Sequence, residues 1–313
     1  MVNFFLAPSP ADSLLTPARR IVNMPRPPPC AKTMEYLRLL RPHQWVKNIF
    51  VLIPFLLAGT ALLPPAGVLW AFAAFCLASS SMYVANDAID ADRDRAHASK
   101  KNRPIASGAV SHAEAWALAA VLGILSLGLA LMASKATAGF VGFYLLLNVA
   151  YSFWTKHVPI LDCASIALGF CLRMLAGGAG FGIPVSPSIL AACYFGAFAM
   201  ALIKRRIELS LAPPGGASSR PSLKDLSLPT LDLLVGVFAA TAVALYAHWA
   251  IDPSRPLAIF TLPPASILLT RVVWLAYLNK KGEDFSKTLL LDNFALASLL
   301  TTFGALAYSV YAK

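Results

Sequence analysis

Four aspartates fall within eight consecutive positions of this chain of 313 residues. On a helix, Asp87, Asp90 and Asp94 lie at i, i+3 and i+7, so their carboxylates share one face. Carboxylates this close repel one another unless a cation lies among them, and hard oxygen ligands with open water positions suit Mg²⁺ shared with substrate phosphates. The stretch therefore predicts a Mg²⁺ site made by Asp87, Asp90 and Asp94, with Asn86 and Asp92 assisting.

The same residues also allow a simpler interpretation, a solvated acidic loop. Arg93, Arg95 and Lys100 are near enough in sequence to balance the aspartates. The metal site is favoured because the cluster stands just where a long apolar segment ends.

Composition places the cluster in a membrane protein. Hydrophobic residues make up 58% of the chain and charged residues 13%, against about 45–50% and about 25% in soluble domains. This excludes a water-soluble enzyme, a disordered chain and a secreted disulfide scaffold. Segments of about 20 apolar residues match a bilayer core, and none alternates like a barrel strand. The sequence predicts an all-α bundle of nine transmembrane helices, at about 45–63, 67–86, 113–133, 137–155, 162–182, 186–203, 229–250, 257–278 and 289–310.

The basic residues predict the orientation of this bundle. Of the 26 Lys and Arg residues, 21 fall on one side of the predicted spans. Because such residues accumulate in cytoplasmic loops, we expect the N-terminus in the cytoplasm and the C-terminus outside, in the inner (plasma) membrane. The net charge of +11 then reflects topology and anionic substrates, and no nucleic-acid partner is predicted.

The first 33 residues differ from the rest of the chain. They contain seven prolines and no long apolar segment, which predicts a disordered tail at 1–33 ahead of a single transmembrane catalytic domain at 34–313. Translation from Met1 and translation from Met34 both fit the sequence.

The fifth predicted span carries glycines and a charge. Four glycines near its end, at 177, 178, 180 and 182, predict close approach of neighbouring helices. Arg173 lies inside the span, where a charge costs about 2.5–3.5 kcal/mol. We expect it to line a polar cavity, the alternative being a purely structural pairing. Arg271, in the eighth span, is expected to reach the membrane surface by snorkelling.

The acidic motif resembles a known superfamily. The pattern N-D-x-x-D-x-x-x-D, followed by KNRPIASG at 101–108, resembles the UbiA-type prenyltransferases. The resemblance covers the chain from about residue 35 to its end. It implies a nine-helix membrane bundle with a cytoplasm-facing, Mg²⁺-dependent site.

A narrower resemblance concerns the branch that contains decaprenyl-phosphate phosphoribosyltransferases. The segment RPHQWVKN at 41–48 is similar to that branch, as are several short motifs further along the chain. The resemblance implies transfer of phosphoribose from phosphoribosyl diphosphate to a polyprenyl phosphate, with the three aspartates as catalytic residues. Together with the bases at the cytoplasmic span ends, it implies as substrate-binding residues Lys47, Asn48, Arg103, Tyr151, Lys156, Asp162, Arg173, Lys204, Arg205 and Glu208.

One departure from the superfamily pattern helps to choose a donor. Ordinary members carry a second Asp-rich motif after the sixth span, whereas this chain has Lys204-Arg205-Arg206-Ile207-Glu208 there. One carboxylate among three bases suits a second metal poorly, which favours the phosphoribosyl branch.

Three functions are left open by the sequence, all with a lipid bilayer as surroundings. The first is phosphoribosyl transfer to a polyprenyl phosphate. The second is a prenyltransferase that moves an isoprenyl group from its diphosphate to an aromatic or other small acceptor. The third is a transporter, ranked last because the charges cluster on one face and no internal repeat is evident.

Overall fold

The computed structural model describes residues 29–58, 65–96, 100–211, 226–254, 257–278 and 292–311. In these ranges the chain forms eleven α-helices and no β-strand. The helices are α1 (Pro29–Leu40), α2 (Ile53–Ala58), α3 (Ala66–Ile89), α4 (Ala91–Arg95), α5 (His112–Ala133), α6 (Lys135–Phe153), α7 (Leu161–Phe181), α8 (Pro187–Ser210), α9 (Leu228–Ala250), α10 (Leu262–Leu278) and α11 (Asn293–Tyr311). Short 3-10 helices cover Pro42–Val51, Lys100–Asn102, Thr155–His157 and Ala258–Thr261.

The prediction of an all-α membrane protein is confirmed. Within the described ranges, seven helical segments are long and apolar enough to span a bilayer. They are α3, α5, α6, α7, α8, α9 and Ala258–Leu275, and α11 coincides with the ninth predicted span. Large apolar side chains such as Ile124, Leu146 and Leu233 are exposed on the outer surfaces, where lipid chains cover them in a membrane.

The structure corrects the first predicted span, 45–63. Instead of one continuous α-helix, the chain forms the 3-10 helix Pro42–Val51 and then the short α2, and residues 59–63 lie outside the described ranges. The turn at Leu52 still bonds in the 3-10 manner, to Ile49 O at 2.8 Å. Pro54 has no N–H to donate, so an α-helical ladder cannot run unbroken through this point.

The N-terminal boundary is only partly described. Helix α1 begins at Pro29, inside the stretch predicted to be a disordered tail, and residues 1–28 lie outside the described ranges. Lys32 of α1 pairs with Glu114 at 2.6 Å, which holds the helix against the start of α5. Helix α1 thus starts four residues before the predicted boundary at 33, and the division into a tail and a catalytic domain stays a prediction.

Glycines bring α7 into close contact with two neighbours, as the sequence predicts. A Cβ atom at Gly177 would lie 1.8 Å from Val51 O, and one at Gly180 would lie 2.8 Å from Gly67 O. Gly178 is crowded in the same way, by Val185 and Ile183. Gly182 has open space but a positive φ of 79°, and it ends α7. The 3-10 helix and α3 therefore pack backbone to backbone against α7, and these three elements carry six of the candidate site residues, namely Lys47, Asn48, Asn86, Asp87, Asp162 and Arg173.

Candidate active site

Asp87 and Asp94 come together at the end of α3. Each is only 4% exposed, and Nη1 of Arg103 donates to both, at 2.9 Å to Asp87 Oδ1 and 2.7 Å to Asp94 Oδ2. Although α3 ends at Ile89, the amides of Asp90 and Asp94 still bond four residues back, so the helical spacing continues into α4. The predicted convergence holds for this pair of carboxylates.

Arg41 is a second cation on Asp87. Its Nη2 lies 2.7 Å from both carboxylate oxygens. Residue spacing did not identify Arg41 as a site residue, although the RPHQWVKN segment begins with it. Its backbone is left-handed, with φ 50°, at the N-cap of the 3-10 helix that starts at Pro42. This conformation, uncommon for a residue other than glycine, fixes where the side chain leaves the backbone.

Asp90 approaches a different base. Its Oδ1 lies 3.2 Å from Nζ of Lys156, beyond the end of α6. Asn86 also meets this side of the molecule, because its Oδ1 accepts a hydrogen bond from Ser152 of α6. Asp92 is 84% exposed at its side chain and pairs with Arg95. The acidic cluster is thus divided between an Arg41–Arg103 side and a Lys156 side.

The donor chemistry of Asp87 and Asp94 fits a hard divalent cation. Their nearest oxygens contact one nitrogen of Arg103, so they lie within about 6 Å of each other with a positive group between them. Magnesium in proteins is often held by one or two carboxylates plus water and substrate phosphates. In the part of the chain that the structure describes, no three His, Cys, Asp or Glu side chains form a metal cluster. The participation of Asp90 and Asn86 stays a prediction.

A second group of predicted residues lies where α7 begins and α8 ends. Arg205, 2% exposed, donates from Nε to Asp162 at 2.5 Å and from Nη1 to both oxygens of Glu208, at 2.9 and 2.8 Å. Asp162 is also buried. Tyr151 is half-buried near the end of α6, and Lys204 is exposed beside Arg205. The Arg205 guanidinium is thereby engaged by protein carboxylates.

Asn48 and Arg173 bind each other inside the bundle. Nε of Arg173 donates to Asn48 Oδ1 at 2.8 Å, Nη1 donates to Gly169 O at 2.8 Å, and Nη2 donates to Tyr144 OH at 3.1 Å. Asn48 is fully buried and Arg173 is 5% exposed. These bonds correspond to the structural alternative given for Arg173, and the role of both residues in substrate binding stays a prediction. Lys47 is half-buried on the same 3-10 helix as Asn48.

Two further arginines tie the later helices together. Arg271 meets both oxygens of Asp292, at 3.1 and 2.7 Å, and its side chain is 32% exposed, so the expectation that it snorkels to the surface stays a prediction. Arg206 pairs with Asp232 at 2.6 Å and stacks on the ring of Tyr277. The acidic partners come from distant parts of the sequence, which is why residue spacing alone did not reveal them.

A comparison of this chain with models of protein families identifies one matching family. Residues 48–299 match the UbiA prenyltransferase family, which is most of the chain, so this protein belongs to that family.

Relatives of known name narrow the comparison. The chain is 39% identical over 240 residues to the decaprenyl-phosphate phosphoribosyltransferase of Corynebacterium glutamicum, covering 74% of this chain and 72% of the relative. It is 35% identical over 231 residues to the protein of the same name from Mycobacterium tuberculosis, covering 72% and 76%. A 4-hydroxybenzoate octaprenyltransferase of Paracidovorax citrulli is 28% identical over 236 residues, covering 73% and 77%.

Solved structures share the fold. A UbiA homolog from Archaeoglobus fulgidus bound to GPP and Mg²⁺ superposes with a TM-score of 0.69 at 21% identity, over 89% of this chain and 100% of that one. The apo structure of a UbiA homolog from Aeropyrum pernix K1 gives 0.66 at 19% identity, over 85% and 98%. These similarities establish the UbiA architecture.

Proposed function

We propose that this chain transfers 5-phosphoribose from phosphoribosyl diphosphate to a polyprenyl phosphate. The observation that carries the proposal is the 39% identity over 240 residues to a decaprenyl-phosphate phosphoribosyltransferase. The site supports it, because buried carboxylates and arginines stand together at the ends of α3 and the 3-10 helix. Such a mixture suits a substrate that carries several phosphate charges.

The reaction replaces one bond at the anomeric carbon of ribose. The bond to the diphosphate oxygen breaks, its electron pair leaves with diphosphate, and an oxygen of the lipid phosphate forms the new bond. The lipid phosphate is already an anion at neutral pH, so its attack requires no strong general base. The protein must therefore stabilise the leaving group and hold two anions in line.

Asp87 and Asp94 are the residues that we assign to the divalent cation. Mg²⁺ bound there supplies Lewis-acid stabilisation of the departing diphosphate. Both carboxylates are buried and held in place by the helical hydrogen bonds that continue from α3 into α4. Asp90 and Asn86, on the Lys156 side, complete the predicted ligand set.

Arg41 and Arg103 are the residues that we assign to the donor phosphates. Guanidinium groups bind phosphate oxygens through paired hydrogen bonds, and both side chains are already placed at the carboxylate pair. Both are partly exposed, 25% for Arg41 and 31% for Arg103, so a soluble substrate can reach them.

The residue types at 204–208 argue against the prenyltransferase alternative. One carboxylate, Glu208, stands among three bases at the position of the second Asp-rich motif, and together with Asp162 it is bonded to the buried guanidinium of Arg205. One carboxylate among three bases suits a second metal poorly. The prenyltransferase of Paracidovorax citrulli is also less similar to this chain, at 28% identity.

We further propose that the site faces the cytoplasm in the inner membrane. The uneven distribution of Lys and Arg supports this orientation, since 21 of 26 fall on the side of the acidic cluster. Phosphoribosyl diphosphate is a soluble polyanion, so a site for it must open to water at one end of the spans.

The deciding experiment compares two labelled donors. Purified protein in nanodiscs with Mg²⁺ receives either ribose-labelled phosphoribosyl diphosphate with polyprenyl phosphate, or labelled isoprenyl diphosphate with an aromatic acceptor. Ribose label in the lipid fraction is the expected result. Label transferred only from the isoprenyl donor would establish the prenyltransferase alternative instead.

A further inference from the structure

A small cavity opens beside the Lys156 side of the acidic cluster. Its volume is about 210 Å³, and it lies between the end of α3 and the end of α6. The residues that matter for its chemistry are Ile89, Asp90, Arg93, Phe153, Lys156 and His157. None of Ile89, Arg93, Phe153 or His157 is used by the reaction described above.

The charged part of this cavity favours an anion. Arg93 and Lys156 contribute two positive charges and His157 a further hydrogen-bonding group, against the single carboxylate of Asp90. Lys156 Nζ reaches Asp90 at 3.2 Å, a long contact for an ion pair, and an ammonium has three hydrogens to donate. A phosphate monoester carries the charge and the acceptor oxygens that such a set can bind.

The apolar part of the cavity continues along the membrane surface of α6. Phe153 is 64% exposed at the cavity edge, and Leu146 and Val149 are also exposed. These residues lie at i, i+3 and i+7, so they form one apolar strip that runs along the helix to the cavity. A ligand that enters here meets side chains that can bind a phosphate and, directly beside them, an apolar surface that can contact a hydrocarbon chain.

We infer that this cavity binds the phosphate of the polyprenyl acceptor, with its first isoprene units lying on Phe153 and the α6 strip. The inference rests on the proposed function and deepens it. It places the acceptor on the Lys156 side and the donor diphosphate on the Arg41–Arg103 side of the α3 end. The divided contacts of Asp87 and Asp90 mark these two sides.

The 5-phosphate of the ribose donor has the same chemistry as the lipid phosphate, and it is the competing occupant. The exposed apolar strip favours the lipid, because a soluble sugar phosphate has no hydrocarbon chain to pack on an apolar surface. Direct binding of both compounds separates the two sources.

The test measures binding of tritiated farnesyl phosphate to purified protein in nanodiscs, without turnover. Arg93→Gln removes one base from the cavity, and Phe153→Asn removes its apolar edge. Arg95→Gln is the matched control, because Arg95 is also exposed in α4 but pairs with Asp92 and lies outside the cavity lining. Thermal stability of each variant is recorded, so that either cavity variant alone can decide if the other fails to fold.

We expect Arg93→Gln to weaken farnesyl phosphate binding by about fivefold or more, as for the loss of one basic contact at a membrane surface. Phe153→Asn should weaken it by about the same factor, because apolar contact with the isoprene units is lost. Arg95→Gln should bind like the parent, and neither ribose 5-phosphate nor farnesol should compete effectively. Parent-like affinity in both cavity variants overturns the inference. Displacement of the probe by ribose 5-phosphate, with binding of that compound lost in Arg93→Gln, also overturns it and assigns the cavity to the donor.

Failure of the proposed function is distinguishable from failure of this inference. Cavity-dependent binding of farnesyl phosphate by a protein that transfers no ribose would reject the function and keep the lipid-phosphate site. Ribose transfer with unchanged binding in the cavity variants would keep the function and reject the site.

Discussion

Arg41 places one guanidinium nitrogen 2.7 Å from each carboxylate oxygen of Asp87, and so joins the start of the 3-10 helix to the end of α3. Asp87 is almost fully buried, whereas Arg41 is partly exposed. A buried carboxylate must be paired, while a partly exposed guanidinium retains access to solvent and to soluble ligands. The pair thus combines a buried acid with a base that is partly open to solvent.

Replacing Asp87 should abolish transfer. Asp87→Asn removes the charge needed for a divalent cation while keeping the size of the side chain. We expect a loss of at least about 100-fold in kcat, as for other groups that stabilise developing charge. The measurement is ribose transfer over a Mg²⁺ titration. The control is Asp92→Asn, since Asp92, although predicted from the sequence to assist, is 84% exposed and pairs with Arg95. Full activity of Asp87→Asn at limiting Mg²⁺ would contradict the metal assignment.

Replacing Arg41 should selectively weaken binding of the phosphoribosyl diphosphate donor. Arg41→Gln removes a charge-assisted contact to phosphate worth about 1.5–3 kcal/mol, so KM for phosphoribosyl diphosphate should rise about 10-fold or more. KM for the lipid acceptor should stay near the parent value. Arg38→Gln is a suitable control, because Arg38 is exposed and pairs locally with Glu35. An unchanged donor KM would remove Arg41 from the site.

The backbone contact at Gly177 gives a stability prediction. In Gly177→Ala the new Cβ would meet Val51 O at 1.8 Å, so α7 and the 3-10 helix must move apart. We expect destabilisation of about 1–3 kcal/mol or more, seen as a lower Tm in detergent. Gly139→Ala is the matched control, since nothing lies within 4 Å of a Cβ there. Equal Tm values for the two variants would show that the contact is not tight.

We expect replacement of Arg205 to lower the stability of the protein more than its affinity for substrate. Arg205→Met leaves Asp162 buried without its cation, which costs about 3–5 kcal/mol when one partner of a buried pair is removed. Adding Asp162→Asn to Arg205→Met should recover part of the lost Tm, because the uncompensated charge is removed. If Arg205→Met instead keeps the parent Tm and raises only a substrate KM, the residue binds substrate directly.

The helices that follow the first span were predictable because each is a long apolar segment whose period and ends are local properties. The start of α3 was predicted at residue 67 and lies at Ala66, and that of α9 at 229 and lies at Leu228. The first span was not predictable in this way. Its 3-10 helix begins at Pro42, precedes Pro54 and contacts the backbone of Gly177, which comes from more than 100 residues further along the chain.

In the candidate site, too, local features were predictable and contacts between distant segments were not. Asp87 and Asp94 were predicted from local spacing, and Arg103 from the family resemblance and its place at a cytoplasmic span end; the structure brings the three side chains together. Asp90 contacts Lys156, a base that follows α6, and spacing within the acidic motif could not predict this partner. The partners of Arg271 could not be read from a window of sequence, since Asp292 approaches it only through the packing of α10 and α11.

Arg173 offers the sharpest separation of a structural from a substrate-binding role. Its guanidinium is bonded to the neutral groups Asn48, Gly169 O and Tyr144 inside the bundle. If Arg173 has a structural role, Arg173→Met should lower Tm, because Asn48 loses a hydrogen-bond partner. Leaving this buried polar group unpaired costs about 1–3 kcal/mol. Substrate KM values should then change little.

Tyr144→Phe is the matched control for this prediction. It removes one acceptor from Arg173 but leaves the Asn48 bond and the aromatic ring in place. We expect a smaller Tm loss than in Arg173→Met, with kinetics like the parent. A large rise in the KM of either substrate for Arg173→Met, without loss of Tm, would instead show that Arg173 faces a substrate cavity. The structural assignment of Arg173 would then be wrong. Its charge inside the membrane would be explained by substrate binding and not by the hydrogen bonds to Asn48 and Tyr144.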